Sequence, residues 1–206
     1  FHEAINIDGY TENNRGKIKK HQIFTDSVGM GGDHVTSDIS MGLKIPMSSA
    51  ERIKTIYGGA MATGMDDREM IETEGNSGDW EHDRRQVSRS ELIGIIRPRI
   101  EEILEDVRER LNFAGFDKLP GKQIVLTGGA SQIPGLDGLA ARILGQHVRL
   151  GRPVRVQGLP QAATGPAFSG VVGLALAKSN KTDGILFASD LSEDAVHFLK
   201  INENGQ

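Results

Sequence analysis

The stretch "IVLTGGAS", residues 124–131, has the composition of a ligand-binding turn. An apolar run predicts a short strand, and Gly128 and Gly129 follow shortly after its carboxyl end. Ligands of open α/β sheets bind outside the carboxyl ends of the strands, and two residues without a Cβ let a flat ring or a phosphate approach the backbone. A helix beginning just after the pair would add free N–H groups that favour an anion. A plain strand–turn–helix connection has the same pattern, so the pair alone leaves both interpretations open.

Two further groups of charged residues have a spacing suited to binding. Glu51 and Lys54 lie three residues apart in a predicted helix and therefore on one face of it. Such a pair is either part of a site or an ordinary solvated ion pair. Several arginines lie around the start of a long predicted helix, beside apolar residues. An arginine can form two parallel hydrogen bonds to one carboxylate. These arginines are Arg84, Arg85, Arg89, Arg97 and Arg99, and they form either the rim of a peptide groove or a solvated face.

The composition excludes several other kinds of chemistry. The chain of 206 residues has no cysteine, which excludes disulfides and thiolate metal sites and favours a reducing compartment. Its six histidines are scattered without a metal-ligand spacing, and Ser131 has no evident partner base. The net charge of −4 gives no footprint for nucleic acid. No apolar run approaches the roughly 20 residues of a membrane span.

The amino-terminal half predicts the elements that would hold the Glu51–Lys54 pair. The first thirty residues predict two short strands, and the polar, turn-rich "GYTENNRGKIKK" between them suits a hairpin or an irregular loop. The glycine pair in "GMGGDHVT" precedes a helix for which we expect Asp33 to be the N-cap. "MSSAERIKTIYGG" predicts a second helix, capped by Ser48 or Ser49 and ended by Gly58. The charged residues 66–86 predict exposed hairpins or loops.

The carboxyl-terminal half predicts the elements around the glycine pair. Ser88 and Glu91 have capping-box spacing, and apolar residues then recur every three or four positions to Leu111, which predicts a long amphipathic helix kinked at Pro98. Strands that alternate with helices indicate an α/β fold. The remaining expected elements are a helix at Leu136–Leu144, strands at Val148–Leu150 and Val154–Val156, and a helix from Pro166 to Ala177.

"LTGGASQIPGL" resembles the adenosine motif of the actin and Hsp70 superfamily of ATPases. Three further stretches agree in order and spacing with FtsA, the family of bacterial actin homologues of cell division. They are "MGGDHVTSDISMGLKIPMSSAERIKTIYG", "RQVSRSELIGIIRPRIEEILEDV" and "GLPQAATGPAFSGVVGLAL". The likeness covers roughly residues 22–177. It implies an α/β fold with an actin-like (ribonuclease H-like) core subdomain, residues 1–35 and 105–206, and a smaller inserted α+β outer subdomain, residues 36–104, of the second lobe, with the first lobe outside this sequence.

The resemblance also implies which residues bind ATP and its magnesium ion in the full-length family. Gly128, Gly129, Ala130 and Ser131 would line the adenosine, and Ile133 would pack on the base. Glu51 and Lys54 would contact the ribose and the adenine, and Gly31 and Gly32 match a glycine pair near the nucleotide. We expect no catalytic residue and at most weak hydrolysis of ATP, since the resemblance implies an ATP-binding structural protein.

The implied partners are the C-terminal tail of FtsZ, other division proteins and a second copy of the chain. The family receives the FtsZ tail on the outer subdomain, where we expect Arg84, Arg85, Arg97 and Arg99 to contact it. We expect Arg97 and Arg99 to be presented together because they flank Pro98. The implied location is the cytoplasm, at the cytoplasmic face of the inner membrane at the division site.

Two segments depart from the family pattern. The family's second phosphate loop has a glycine triplet, whereas "INIDGYTENN" offers only Asp8, Gly9 and Thr11, so we expect ATP to bind this fragment weakly or not at all. The family's C-terminal membrane helix is basic, whereas "DLSEDAVHFLKINENGQ" is acidic and predicts a core-docking element or a loose tail. We therefore expect membrane contact only through a helix not present here.

Two functions remain open at this point. The first is a cell-division scaffold that binds ATP and holds FtsZ. The second is the second lobe of a sugar kinase or an Hsp70-type ATPase of the same superfamily. A kinase needs an acceptor pocket and a base, and the sequence shows neither, so we favour the scaffold.

Overall fold

A computed structural model describes residues 3–12, 18–74, 84–116, 123–153, 159–173, 185–189 and 196–200. The helices are α1 (Gly32–Leu43), α2 (Met47–Tyr57), α3 (Arg89–Phe113) and α4 (Leu136–Leu144). The strands are β1 (Glu3–Glu12), β2 (Ile18–Val28), β3 (Met70–Glu74), β4 (Arg84–Ser88), β5 (Gln123–Leu126), β6 (His147–Leu150), β7 (Ile185–Ser189) and β8 (Val196–Lys200). Short 3₁₀ turns lie at Asp66–Arg68, Ala130–Gln132, Gln161–Ala163 and Pro166–Phe168.

The strands of the described residues form two-stranded pairs. β1 and β2 form an antiparallel hairpin with an irregularity between Ile7 and Asp8, which confirms the predicted hairpin. β3 and β4 form a second hairpin within the charged segment, and β7 and β8 a third. β5 and β6 run parallel with α4 between them, and Ile124 lies opposite Val148. This β–α–β unit places the end of β5 at the glycine pair.

The starts of α1 and α2 differ from the sequence predictions. Asp33 lies within the first turn of α1, because Gly31 is the N-cap and its N–H donates to Nδ1 of His34 at 3.2 Å. α2 begins at Met47 rather than at a serine cap, because the carbonyl of Pro46 already accepts from the N–H of Ala50 at 2.9 Å. Its end at Gly58 is as predicted.

α3 follows the predicted boundaries closely. The Oγ of Ser88 accepts from the N–H of Glu91 at 3.2 Å, which satisfies one of the free donors of the first turn. The helix continues through Pro98, which lies on its exposed side. Its buried face consists of Leu92, Ile93, Ile96, Ile100, Ile103 and Leu104.

One hydrophobic cluster joins the four helices. Ile39 of α1, Leu92 and Ile96 of α3 and Leu139 of α4 are fully buried within it, and Ile53 of α2 is 1% exposed. The cluster also includes Ile71 of β3 and Val87 of β4, so it extends across the predicted boundary between the inner and the outer subdomain. That boundary stays a prediction.

Arginines of α3 form ion pairs with neighbouring elements. Arg99 reaches Asp38 of α1 at 2.6 Å, and Arg110 reaches Asp26 of β2 at 3.1 Å. Arg97 pairs with Glu101, and the carboxylate of Glu101 also forms an ion pair with Arg142 of α4 at 3.3 Å. α3 is thus joined by charged contacts to α1, β2 and α4.

Part of the predicted carboxyl-terminal half lies outside the described residues. These are the predicted strand Val154–Val156 and residues 174–177 of the predicted closing helix, whereas residues 169–173 are helical. In the acidic final segment, Val196–Lys200 is a strand paired with Ile185–Ser189. Within the described ranges, no helix combines the length and the apolar composition needed to cross a membrane.

Candidate functional site

The glycine pair lies just beyond the carboxyl end of β5, as predicted. Gly128 is buried and has φ 98°, a left-handed conformation that favours glycine. Its N–H donates to the carbonyl of Pro166 at 3.1 Å, and its own carbonyl accepts from Oγ of Ser131 at 2.7 Å. Gly129 has the ordinary helical values φ −61° and ψ −49°. The turn therefore needs glycine at 128 for its conformation, whereas the backbone at 129 has a conformation that any residue can adopt.

A short connection separates the glycine pair from α4. A single 3₁₀ turn, Ala130–Gln132, follows the pair, and α4 begins at Leu136, as predicted, after Gly135 at φ 80°. The N-terminus of α4 therefore does not directly follow the pair, and the anion-binding alternative, which required a helix at that point, has no α-helix to supply the N–H groups. β5 is also less buried than expected, since Val125 is 44% exposed.

Neighbouring segments hold the turn in place. Oγ1 of Thr127 donates to Oγ of Ser169 at 2.7 Å and lies 3.3 Å from the carbonyl of Gly151. The N–H of Gly151 donates to the carbonyl of Leu126 at 2.6 Å. The end of β5 is thus fixed between the residue after β6 and the helix at 169–173.

The predicted adenosine-binding residues differ in exposure. Ser131 and Ile133 are 5% and 9% exposed, and Ile133 belongs to the hydrophobic core rather than to an open surface. Gly129 and Ala130 are half-buried. A ligand that approaches this turn would therefore meet Gly129 and Ala130 first.

Glu51 and Lys54 form a closed polar network with α1. Nζ of Lys54 lies 2.6 Å from Oε2 of Glu51, 2.7 Å from Oγ1 of Thr36 and 3.2 Å from the carbonyl of Gly32. Oγ1 of Thr36 also donates to Oε2 of Glu51 at 2.5 Å. The side chain of Lys54 is 10% exposed and that of Glu51 is 51% exposed. Lys54 is therefore not half of a solvated surface pair.

Thr36 is the member of this network that the sequence analysis missed. It lies one helical turn after Gly32, on the buried face of α1, and is 2% exposed. A buried threonine in a helix often lies close to the carbonyl four residues earlier, and Oγ1 of Thr36 is 3.1 Å from the carbonyl of Gly32. The sequence shows that spacing but not the approach of α2.

The two groups of predicted site residues meet through the loop after α2. The N–H of Ala60 donates to the carbonyl of Pro134 at 2.8 Å. The side chain of Met61 lies against Gly135 and Gly138 of the other segment. Gly31, Gly32, Glu51 and Lys54 thus form one group, Gly128 to Ser131 form the other, and this backbone contact joins them.

The arginines do not form one surface. Residues two apart in a helix do not face each other. Arg97 pairs with Glu101 of its own helix and Arg99 pairs with Asp38 of α1, so the expectation that Pro98 presents them together is wrong. Arg99 donates to both carboxylate oxygens of Asp38, from Nε at 2.6 Å and from Nη2 at 3.1 Å. Its Nη1 also donates to Oε2 of Glu102 at 2.6 Å. The hydrogen bond that Arg99 donates to Asp38 raises the pKa of Arg99 above its ordinary value.

The other predicted arginines lie near the β3–β4 hairpin. Arg89 donates to the carbonyl of Tyr57 at 2.9 Å and to Asp66 at 3.0 Å, so it is occupied within the chain. Arg84 pairs through its backbone with Glu74, and Arg85 is an exposed residue of β4. Arg97 is 40% exposed beside its partner Glu101.

The candidate remnants of a phosphate loop are not in a loop. Asp8, Gly9 and Thr11 lie in β1, opposite Gln22, His21 and Lys19 of β2. Strand pairing extends the backbone there, whereas a phosphate loop needs successive N–H groups turned toward one point. The described residues contain no group of histidine, aspartate or glutamate side chains that could hold a metal ion.

Solved structures define the class of fold. MreB5 of Spiroplasma citri bound to ADP superposes with a TM-score of 0.56 at 16% identity, over 79% of this chain and 49% of that one. A chain of the PilM–PilN type IV pilus biogenesis complex gives 0.53 at 19% identity, over 79% and 42%. The fold is actin-like, as expected.

Sequence comparison gives the family. The profile of cell division protein FtsA matches residues 14–173, and this chain belongs to the FtsA family. It is 46% identical over 171 residues to the FtsA of Agrobacterium fabrum, covering 83% of this chain and 39% of that protein. It is 37% identical over 150 residues to the FtsA of Pseudomonas aeruginosa, covering 73% and 35%. The chain thus spans about two fifths of the length of these relatives, and Asp8, Gly9 and Thr11 lie before the matched residues.

Proposed function

We propose that this chain is the nucleotide- and partner-binding second-lobe part of a cell-division scaffold of the FtsA type. Adenosine would bind beside Gly129 and Ala130, with Glu51 on the opposite side. FtsZ would bind through its C-terminal tail. Membership of the FtsA family favours this function over a sugar kinase or an Hsp70-type ATPase.

The burial of Lys54 is the observation that supports the nucleotide site most strongly. Lysine is almost never fully buried unless it is paired, and Lys54 is 9% exposed with three partners. One of these partners is the carbonyl of Gly32, in the glycine pair that the family places near the nucleotide. This ordered charged network supports the proposal that a nucleotide binds beside Glu51 and Lys54.

The proposed nucleotide affinity is weak, and no turnover is proposed. The adenosine turn is ordered, but the segment that would wrap the phosphates is a strand here. Phosphate and magnesium contacts would therefore come mostly from parts of the family architecture that this chain does not supply.

Calorimetric titration with Mg-ATP tests this proposal. We expect weak binding that is lost in Gly129→Val, since a branched side chain would fill the approach to the turn, while the helical backbone at this position tolerates valine. Gly94→Val is the matched control, because a Cβ at Gly94 meets nothing within 4 Å. Submicromolar affinity, or hydrolysis that Gly129→Val leaves intact, would refute the proposal.

For the FtsZ tail we propose Arg85 and Arg97 as contact residues, with Arg84 on the same strand as Arg85. Arg85 is exposed, and the side chain of Arg97 is 40% exposed beside its partner Glu101, whereas Arg99 and Arg89 are engaged by Asp38 and Asp66. Guanidinium groups that solvent reaches suit a short peptide with carboxylates. In the full-length protein this binding would take place at the cytoplasmic face of the inner membrane, with the membrane contact supplied elsewhere in the protein.

Fluorescence anisotropy with a labelled FtsZ tail peptide measures this contact. We expect the double variant Arg85→Glu, Arg97→Glu to bind about tenfold more weakly, as for interface anchors. The double variant Arg149→Glu, Arg152→Glu controls for the same change in charge, because both residues are exposed at or just beyond the end of β6. Equal affinity of the double variant and the unmodified chain would exclude these two arginines.

A further inference from the structure

The first turn of α4 has donors without acceptors. The first four N–H groups of an α-helix have no partner within the helix, and the N-cap of α4 is Gly135, which has no side chain to cap them. The N–H of Leu136 donates to the carbonyl of Ile133 at 3.1 Å. Within the described residues, the N–H groups of Asp137 and Gly138 reach no acceptor. Two donors of this turn are therefore open to a new partner.

The sulfur of Met61 lies beside this turn. The backbone hydrogen bond from Ala60 to the carbonyl of Pro134 brings the loop after α2 to this place. The Cβ of Met61 lies 3.4 Å from the position that a Cβ would occupy at Gly135, and its Sδ lies 3.6 Å from that position at Gly138. Because Gly138 has no Cβ, the space between the sulfur and the helix backbone stays open. A thioether is only a weak acceptor, so the sulfur by itself does little for the two donors.

Oxidation would turn this weak acceptor into a strong one. Methionine is among the residues most often fully buried, yet Met61 is 44% exposed, so a small oxidant can reach it. Hydrogen peroxide transfers one oxygen atom to a thioether: the S–O bond forms, the O–O bond breaks, sulfur gives up two electrons, and the other peroxide oxygen leaves as water. The product is a polar sulfoxide, which methionine sulfoxide reductases convert back to the thioether.

We propose that Met61 is a reversible oxidation site, and that its sulfoxide oxygen accepts a hydrogen bond from the N–H of Gly138. The positive end of a helix dipole favours the negative oxygen of the S–O bond at this position. Oxidation then strengthens the contact between the loop after α2 and the start of α4, whereas methionine oxidation in a core usually disrupts packing. The inference goes beyond the proposed function, because it needs neither nucleotide nor FtsZ.

The test uses a chain in which Met61 is the only methionine. The other five are replaced in the variant Met30→Leu, Met41→Leu, Met47→Leu, Met65→Leu, Met70→Leu. Hydrogen peroxide converts this chain, peptide mass spectrometry measures the sulfoxide at Met61, and NMR measures the exchange of the Gly138 N–H with water. A hydrogen-bonded amide exchanges only when the structure opens locally, so we expect exchange about tenfold slower after oxidation. Methionine sulfoxide reductases should restore the original exchange rate.

The Met61→Leu chain, which keeps the other five methionines, is the matched control. Peroxide should convert its Met65, which is 78% exposed, and leave the exchange of Gly138 unchanged. Slower exchange of Gly138 in this control would overturn the assignment to Met61. If the chain with five leucines does not fold, the unmodified chain and Met61→Leu are oxidised in parallel, and the difference in Gly138 exchange between them gives the same comparison.

The remaining outcomes also decide the proposal. Unchanged or faster exchange of Gly138 in a chain fully oxidised at Met61 would overturn the hydrogen bond. In the unmodified chain, a Met61 that stays a thioether after Met65 is fully converted would overturn the oxidation site. The urea midpoint of the chain with Met61 alone gives an independent measurement: we expect that it does not fall on oxidation, and a lower midpoint would show that the sulfoxide disrupts this contact.

Discussion

Replacing Lys54 by methionine should destabilise the chain less than the burial of a charge first implies. Methionine keeps most of the volume of the lysine stem and removes the ammonium. Without the ammonium, the single hydroxyl proton of Thr36 can go to the carbonyl of Gly32, 3.1 Å away, and Glu51 is its alternative acceptor. Glu51 is half exposed and can be solvated. No partner of Lys54 is therefore left buried without a hydrogen bond.

The structure sets the size and the order of the effects. Removing one partner of a buried ion pair commonly costs about 3–5 kcal/mol, because the other charge is stranded. Here Lys54→Met should cost about 1 kcal/mol, the net value of an ordinary hydrogen bond. Glu51→Ala leaves the buried ammonium with two acceptors for three donors, so it should cost more, about 1–3 kcal/mol. The double variant should cost about as much as Lys54→Met alone.

Urea unfolding followed by circular dichroism measures all three variants as free energies of unfolding. The comparison is a double-mutant cycle, which isolates the coupling between the two side chains. If Lys54→Met lost more than about 3 kcal/mol and more than Glu51→Ala, the redundancy of the partners would be refuted. Additive losses in the double variant would show that the two side chains are not coupled.

Three further outcomes follow from the described geometry. Gly128→Ala should cost about 1–2 kcal/mol because φ is 98° there, whereas Gly129→Ala at φ −61° should cost little in the same urea titration; equal losses would contradict this. Ser88→Ala removes the N-cap of α3 and should lower its unfolding free energy by about 1 kcal/mol; an unchanged urea midpoint would contradict the cap. Hydrogen bonds from Thr63 hold the pKa of Asp66 below its ordinary 3.8. The ionised Asp66 therefore adds to the free energy of unfolding above that pH, and this stabilisation is lost as the pH falls through the lower folded pKa. On acidification, the urea midpoint of Asp66→Asn should therefore fall less steeply than that of the unmodified chain.

Local patterns in the sequence predicted the elements whose boundaries depend on nearby residues. α4 was expected at Leu136–Leu144 and is observed there. The cap at Ser88 and the end of α2 at Gly58 were also correct. In each case a cap or a glycine lies within one turn of the boundary that it sets. The serines expected to begin α2 failed because the preceding proline carbonyl already starts the helix.

The site was predictable only as far as its local spacing. Glu51 and Lys54 face each other because they are three apart in one helix. The burial of Lys54 depends on Gly32, 22 residues earlier, and its second partner Thr36 lies 18 residues earlier. Likewise Arg99 is engaged by Asp38 across 61 residues. Contacts between helices that far apart have no periodic signature in a single sequence.

The ion pairs of α3 have a consequence for the order in which the chain folds. Arg99 and Asp38 are 61 residues apart, and Arg110 and Asp26 are 84 apart. Contacts between such distant residues must close large loops, whereas the turns of α3 form locally and quickly. We expect these ion pairs to form after the rate-limiting step, so that Arg99→Met speeds unfolding while leaving the refolding rate nearly unchanged. The charged contacts of α3 would then determine the unfolding rate, and with it the lifetime of the folded chain, rather than the folding rate.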